Sequence, residues 1–195
     1  MTSRAPDESK LPGVRHGRLN LIADRRGSFA ELWKASGFGE LSERDTGMPD
    51  ARFVQANLST SARGVLRGLH YHRRQLDYWT VVSGLALVAL VDVRPVVADA
   101  TVHAIVELRE MAAGDTVTIP TGVAHGFLAL EPLQLLYLVT NEYDGSDELG
   151  FAWDDPAVGI EWPAIPGAPD GRPILSDRDL SNPSLVELVN SLREA

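Results

Sequence analysis

Five histidines serve 195 residues, and three of them fall where their chemistry could be shared. His70 and His72 are separated by one residue, a spacing that puts both side chains on the same face of an extended strand. Asp77 follows on the same stretch, and Gly84 closes the next apolar run. The third, His125, lies in GDTVTIPTGVAHGFLA (114–129), just after a Pro120-Thr121-Gly122 turn. Imidazoles titrate near neutral pH, so they suit proton abstraction. Grouped with a carboxylate, they also suit a divalent cation. Acid–base chemistry and metal coordination are therefore the two activities that these residue types support.

Either chemistry needs strands to hold it. Residues 53–57, 64–72, 78–82, 85–93, 102–108, 116–119, 125–130 and 134–141 read as short strands rich in β-branched and apolar residues. Residues 14–33 alternate apolar and polar positions around Asp24-Arg25-Arg26-Gly27, a hairpin pattern. Residues 34–51, rich in Gly, Ser and charge, read as a helical turn and a loop, and 111–114 as a turn. Short strands at this turn-punctuated spacing predict an all-β antiparallel barrel or jelly roll, which also manages exposed sheet edges. Residues 151–163 are irregular and aromatic, and their tryptophans are read as packing a C-terminal wrap onto the barrel. Asn182-Pro183 reads as an N-cap with proline at the first helical position. Leu185, Leu188, Val189 and Leu192 then recur at helical spacing, giving a short C-terminal helix. Residues 1–12 are expected to be a flexible arm and 13–195 a single domain.

Composition narrows the function classes. The net charge of −9, with a sequence pI near 5.0, argues against nucleic acid or a membrane surface as partner, since either needs a basic face. An anionic small ligand stays open, because a few inward arginines make a local positive pocket. The absence of cysteine removes disulfide and thiolate chemistry. The longest apolar stretch, 81–91, contains Ser83 and Gly84 and is too short to cross a bilayer. The N-terminus lacks the apolar core of a signal peptide. A soluble, cytoplasmic protein is expected.

Gly64, His70, His72, Asp77 and Gly84, with Gly114, Pro120, Gly122 and His125, resemble the two cupin motifs, with Asp in place of the usual Glu and Ala129 in place of the usual Asn. The strings FVQAN, RGVLRGLHYH, IPTGVAHGFLAL, LLYLVTNEY, WDDPAVGIEWP and PILSDRD, in this order, resemble the dTDP-4-dehydrorhamnose 3,5-epimerase family over roughly residues 20–180. That resemblance implies a cupin-fold homodimer acting on a nucleotide-linked 4-keto-6-deoxy sugar through an enolate, with no cofactor required. It implies His70 as the base, Asp179 as the partner of its other ring nitrogen, and Tyr137 as the acid on the opposite face. It carries substrate binding onto Arg67 and Arg26 at the diphosphate and onto Gln55 and Asn57 near the nucleotide. By the same resemblance Glu31 matches an acid on an arm exchanged between subunits, Tyr143 the aromatic that stacks on the base, and His125 and Arg178 further pocket positions.

Some positions depart from the family pattern. Counting back from Gly84 puts Asp77 where the family carries a lysine facing the C4 oxygen, and His72 where glutamine is common. Ala56 and Leu138 also replace charged residues. A carboxylate repels an enolate, and oxyanion stabilisation is among the largest catalytic contributions. One alternative is a metal-dependent cupin enzyme, with a divalent metal on His70, His72, Asp77 and His125 acting as Lewis acid. Another is that Arg73 or Arg74 folds back to supply the charge. A third is a noncatalytic binder of sugar nucleotides. The plainest reading leaves His72 at the rim and Asp77 as a solvated loop acid.

Overall fold

A computed structural model describes residues 9–34, 52–99, 101–143, 145–166 and 169–194. Two five-stranded sheets face each other. The first is ordered β1 (Arg15–Arg18), β9 (Asp115–Ile119), β6 (Asp77–Ser83), β11 (Leu133–Val139) and β4 (Gln55–Ser61). The second is ordered β12 (Leu149–Gly150), β5 (Leu66–Tyr71), β10 (Val123–Ala129), β7 (Leu85–Asp92) and β8 (Ile105–Ala112). Every neighbouring pair in these sheets is antiparallel, as the sequence predicts for a cupin-type jelly roll. A separate hairpin, β2 (Ile22–Asp24) with β3 (Gly27–Phe29), turns at the expected Asp24–Gly27.

Period-2 side-chain alternation sends one face of each sheet into a shared core. Trp79, Val81, Val88, Leu90, Met111, Val117, Ile119, Phe127, Leu133 and Leu135 meet there. The outer face of the second sheet is covered as well, so β10 is buried along its whole length. Its cover includes α3 (Leu185–Glu194), which lays Leu185, Leu188 and Val189 against Leu69, Tyr71, Ala89, Val91 and Phe151. Burying each such side chain stabilises the docked helix by about 1.5–3 kcal/mol. Trp153 and Trp162 pack beside Leu66, Leu128 and Ile165, with the Trp162 indole N–H donating to the Trp153 carbonyl.

Several boundaries differ from the sequence reading. The strand expected at 53–57 is β4, starting at Gln55 and running on to Ser61, and the one expected at 102–108 runs from Ile105 through the expected turn to Ala112. A short helix, α1 (Arg94–Ala98), begins where Pro95 ends the strand run. The cap of α3 is Ser184 rather than Asn182. Ser184 Oγ accepts the Glu187 N–H, while the Glu187 carboxylate accepts the Ser184 N–H and hydroxyl, closing a capping box. The proposed arm is only partly described. Residues 1–8 lie outside the described residues, but Ser9 bonds Glu107 and Leu11 is 1% exposed in the inter-sheet core, so 9–12 are docked. The helical turn and loop expected at 34–51 fall, from residue 35 on, outside the described residues. No described helix is long and apolar enough to cross a membrane.

Candidate active site

A one-residue mismatch between β5 and β10 shapes one end of the inter-sheet space. His125 stands opposite His70 and Phe127 opposite Arg67, so two steps on β10 face three on β5. Paired residues point to the same face, and His125 and Phe127 both turn inward to edge-on contact with Trp79. The bulge therefore brings Arg67 and His70 to one inner face, where a regular strand would point them apart. Glycine is required at this crossing. A Cβ on Gly68, at φ +130°, would lie 2.7 Å from the Gly126 Cα, and one on Gly126 would lie 2.8 Å from the Arg67 carbonyl.

His70 Nε2 lies 2.8 Å from Oδ1 of Asp179. Asp179 is held by α2 (Asp177–Leu180), whose N-cap Ser176 accepts the Asp179 N–H. Burial alone would raise the Asp179 pKa. The hydrogen bond and charge of His70, the Ser176 hydroxyl and the Gly68 N–H outweigh it and hold the carboxyl below its ordinary value. An ionised acceptor at Nε2 fixes the ring N–H there and leaves the lone pair on Nδ1 of the half-buried imidazole. A ring held this way can accept a proton at Nδ1.

Beside it, His72, Asp77 and His125 are all buried, and their ligand atoms lie within 4.8 Å of one another. His72 donates Nδ1–H to the Asp147 carbonyl at 2.7 Å, and His125 donates its own to the Val123 carbonyl at 3.3 Å. Both Nε2 lone pairs consequently face inward. Burial, and next the charges of His72 and His70, push the His125 pKa well below its ordinary value, so this ring is neutral. Burial raises the Asp77 carboxyl against smaller lowering effects from His72, the Gln75 amide and the Trp79 indole. The Trp79 N–H is turned toward that carboxylate without closing a full hydrogen bond. The four-ligand set expected from sequence is corrected here. Three members gather, while His70 is held apart by Asp179. The readings of His72 as a rim residue and Asp77 as a solvated loop acid also fail, since they are 5% and 2% exposed.

Tyr137 faces this group from the other sheet, on β11 opposite Asn57 and Trp79, at the edge of the inter-sheet core. Burial raises its phenol pKa, the charges of Asp77 and Glu148 raise it further, and Arg67 opposes them. The phenol is kept protonated, as a proton donor must be. Arg67 reaches across to β4, donating Nε–H to Ser61 Oγ at 3.1 Å. Gln55 donates to Asn57 Oδ1 and accepts the Tyr143 N–H. Tyr143, His72, Gln75, Asp147 and Glu148 line a shallow open cleft.

Other expected residues lie apart. Arg178 is engaged by Glu148, through both its carboxylate and its carbonyl. Arg26 pairs with Asp24, and Glu31 with Lys34, on the hairpin segment and not at the His70 cluster. Arg73 and Arg74 do not fold inward. Both are exposed, their N–H groups capping the Asp147 carboxylate at 2.9 Å each. Sequence reasoning missed Asp147, Glu148 and Gln75. Gln75 lies within the short polar segment between the histidines and β6, so its position was the one usable signal. Nothing local ties Asp147 to His72, 75 residues away.

The two-sheet antiparallel jelly roll is the fold of the cupin-type sugar epimerases, and the comparison with known proteins gives the family. The family model described as dTDP-4-dehydrorhamnose 3,5-epimerase matches residues 8–187. A dTDP-4-dehydrorhamnose 3,5-epimerase of Neisseria gonorrhoeae is 33% identical over 193 residues, covering 94% of this chain but 53% of that protein's length. The rmlC epimerase structure of Mycobacterium tuberculosis superposes with a TM-score of 0.79 at 32% identity, covering 97% of this chain and 92% of the other. An RmlC epimerase from Legionella pneumophila, solved in complex with dTDP-4-keto-L-rhamnose, superposes with a TM-score of 0.77 at 28% identity, covering 94% of each chain. The chain belongs to the dTDP-4-dehydrorhamnose 3,5-epimerase family and is an isomerase of that kind.

Proposed function

We propose that this protein inverts C3, C5 or both of a dTDP-linked 4-keto-6-deoxyhexose, in deoxysugar biosynthesis. The observation that carries the reading is the His70–Asp179 pair at 2.8 Å, on the same inner face as Arg67 and across from Tyr137. The ketone at C4 acidifies the neighbouring C–H bonds. Nδ1 of His70 takes a proton from one face, and the electron pair moves onto the C4 oxygen as an enolate. Tyr137 returns a proton on the other face, leaving imidazolium and phenolate, which reset by exchange with solvent. No electron is transferred, so the reaction needs no redox cofactor.

Arg67 serves the diphosphate with the N–H groups left over from Ser61, since a guanidinium fork suits phosphate oxygens. Gln55, Asn57 and Tyr143, already hydrogen-bonded to one another, form the nucleotide side. Arg178 and His125 complete the pocket. The ligand of the Legionella protein, a dTDP-4-keto sugar, supports this substrate class. The 13–195 region acts as one cytoplasmic domain and pairs as a homodimer. Leu21, Ile22, Phe29 and Leu58, each more than half exposed, offer the apolar surface for that pairing. Arg26 and Glu31, on the hairpin arm, then reach the partner's pocket.

The test is proton NMR of dTDP-4-keto-6-deoxyglucose with the purified protein in D2O. Loss of the C3 or C5 proton signals, abolished in His70→Asn, is the expected result. Persistence of both signals while dTDP demonstrably binds would make the protein a noncatalytic sugar-nucleotide binder.

A further inference from the structure

We propose that His72, Asp77 and His125 form a site for one divalent transition-metal cation, set beside His70 where the ion polarises the C4 carbonyl of the substrate. The role at C4 rests on the epimerase reading above, whereas the ion site itself does not.

Three features of the geometry carry it. Each imidazole is locked by an Nδ1–H bond to a backbone carbonyl, Asp147 for His72 and Val123 for His125. Metal-ligating histidines are typically held this way, because the bond fixes the tautomer and aims Nε2 at the ion. The acceptors are also concentrated. His125 Nε2 lies 3.9 Å from Asp77 Oδ2, and ligand atoms about 2.1 Å from one ion lie roughly 3.0–3.5 Å apart. Contraction by about half an ångström closes that pair around an ion of that size, and the whole set, whose ligand atoms lie within 4.8 Å of one another, closes with a shift of about an ångström. Finally, one small donor already bridges the cluster. The Gln75 amide nitrogen stands 3.3 Å from His72 Nε2 and 3.2 Å from Asp77 Oδ2. Gln75 occupies the position of a cation, on an irregular, half-buried segment from which its side chain can swing aside or present its oxygen.

A carboxylate this deeply buried is destabilising when no opposite charge meets it. Among the described residues its recorded partners are the imidazoles of His72 and His125, the Gln75 amide and the Trp79 indole, with no ammonium or guanidinium. Two imidazoles with one carboxylate favour zinc, iron, cobalt or nickel over magnesium or calcium. Glu148 Oε1, 3.9 Å from His72 Nε2, stands at the cleft through which the ion enters. The ion and Asp77 together carry a single positive charge, the charge of the lysine that Asp77 replaces. His70, bound to Asp179, is left free as base, so the ion and proton abstraction do not compete.

The experiment titrates chelator-stripped protein with Co2+ and Zn2+, by calorimetry and cobalt visible absorption, alongside Asp77→Asn and His72→Gln. Circular dichroism and dTDP affinity verify that the variants fold. Expected are one ion per chain, a tetrahedral or five-coordinate cobalt spectrum, and binding at least 100-fold weaker in both variants. Proton exchange in D2O rises at least tenfold on loading. Absent or substoichiometric binding overturns the site, as does binding that folded Asp77→Asn leaves unchanged. Stoichiometric, Asp77-dependent binding with an unchanged exchange rate overturns the C4 role. Such binding with no exchange in either form keeps the site and refutes the epimerase reading instead.

Discussion

Replacing Asp179 with asparagine keeps the side-chain shape and removes the charge facing His70. The expected cost follows from the contact. A hydrogen bond to a charged group contributes about 1.5–3 kcal/mol, and Asp179 is 4% exposed, so water does not take its place. At about 1.4 kcal/mol per decade of rate, the variant should exchange substrate protons roughly 10- to 150-fold more slowly. A second effect adds to this. The Gly68 N–H and the Ser176 hydroxyl both donate to this side chain, so the amide oxygen turns toward them and its NH2 toward His70. That forces the ring proton onto Nδ1, the atom meant to accept it. The assay is the rate of loss of C3 and C5 proton signals in D2O at saturating substrate, with dTDP affinity as a control. A rate within threefold of wild type, with dTDP affinity unchanged, would refute the pairing of His70 and Asp179 as the proton-accepting unit.

The same carboxylate predicts an acid-stability signature. Its folded pKa lies below the 3.8 of the unfolded chain, so between those values the unfolded state holds the extra proton and stability rises with pH. Ionised Asp179 contributes stability present above about pH 4 and lost as pH falls through its folded pKa. In acid unfolding followed by circular dichroism, Asp179→Asn should lose part of that steep limb, and parallel curves would count against it. Tyr137→Phe should still release substrate protons to D2O yet lose inversion at least tenfold, read as product stereochemistry by NMR; full inversion would remove Tyr137 as the acid. Gly126→Ala places a methyl 2.8 Å from the Arg67 carbonyl and 2.9 Å from a Leu69 methyl. Urea unfolding should show a loss of about 1–3 kcal/mol, and an unchanged midpoint would mean the bulge has slack.

Much of the barrel was legible because strand alternation and glycine-rich turns are local signals. The capping box of α3 was also written in the sequence, as Ser184 and Glu187 three apart, but Asn182-Pro183 offered a competing start two residues earlier. One contact was legible where a string carried it: His70 meets Asp179, as the family resemblance implied, while Tyr137 lies across on the other sheet. The bulge was not legible, because it depends on how Gly68 meets Gly126 across two strands. That irregularity turns Arg67 inward beside His70. The cupin pattern grouped His70 with His72 as ligands, whereas the structure holds His70 against a partner 109 residues away. Asp77 was visible as a departure from pattern, yet its burial was not, since a single polar residue at a strand start reads equally well as solvated.

The wide separations along the chain bear on when the enzyme becomes active during its synthesis. Chains emerge from the ribosome N-terminus first, and His70 is made long before Asp179. His72 likewise waits for Asp147, whose carbonyl sets its tautomer and whose carboxylate anchors the two residues after it. A nascent chain that has completed β12 still has His70 without Asp179. Only after residue 179 clears the exit tunnel can the pair close, and α3 docks later still. Turnover therefore reports a finished chain, and a product truncated after β12 should be silent even if its sheets assemble.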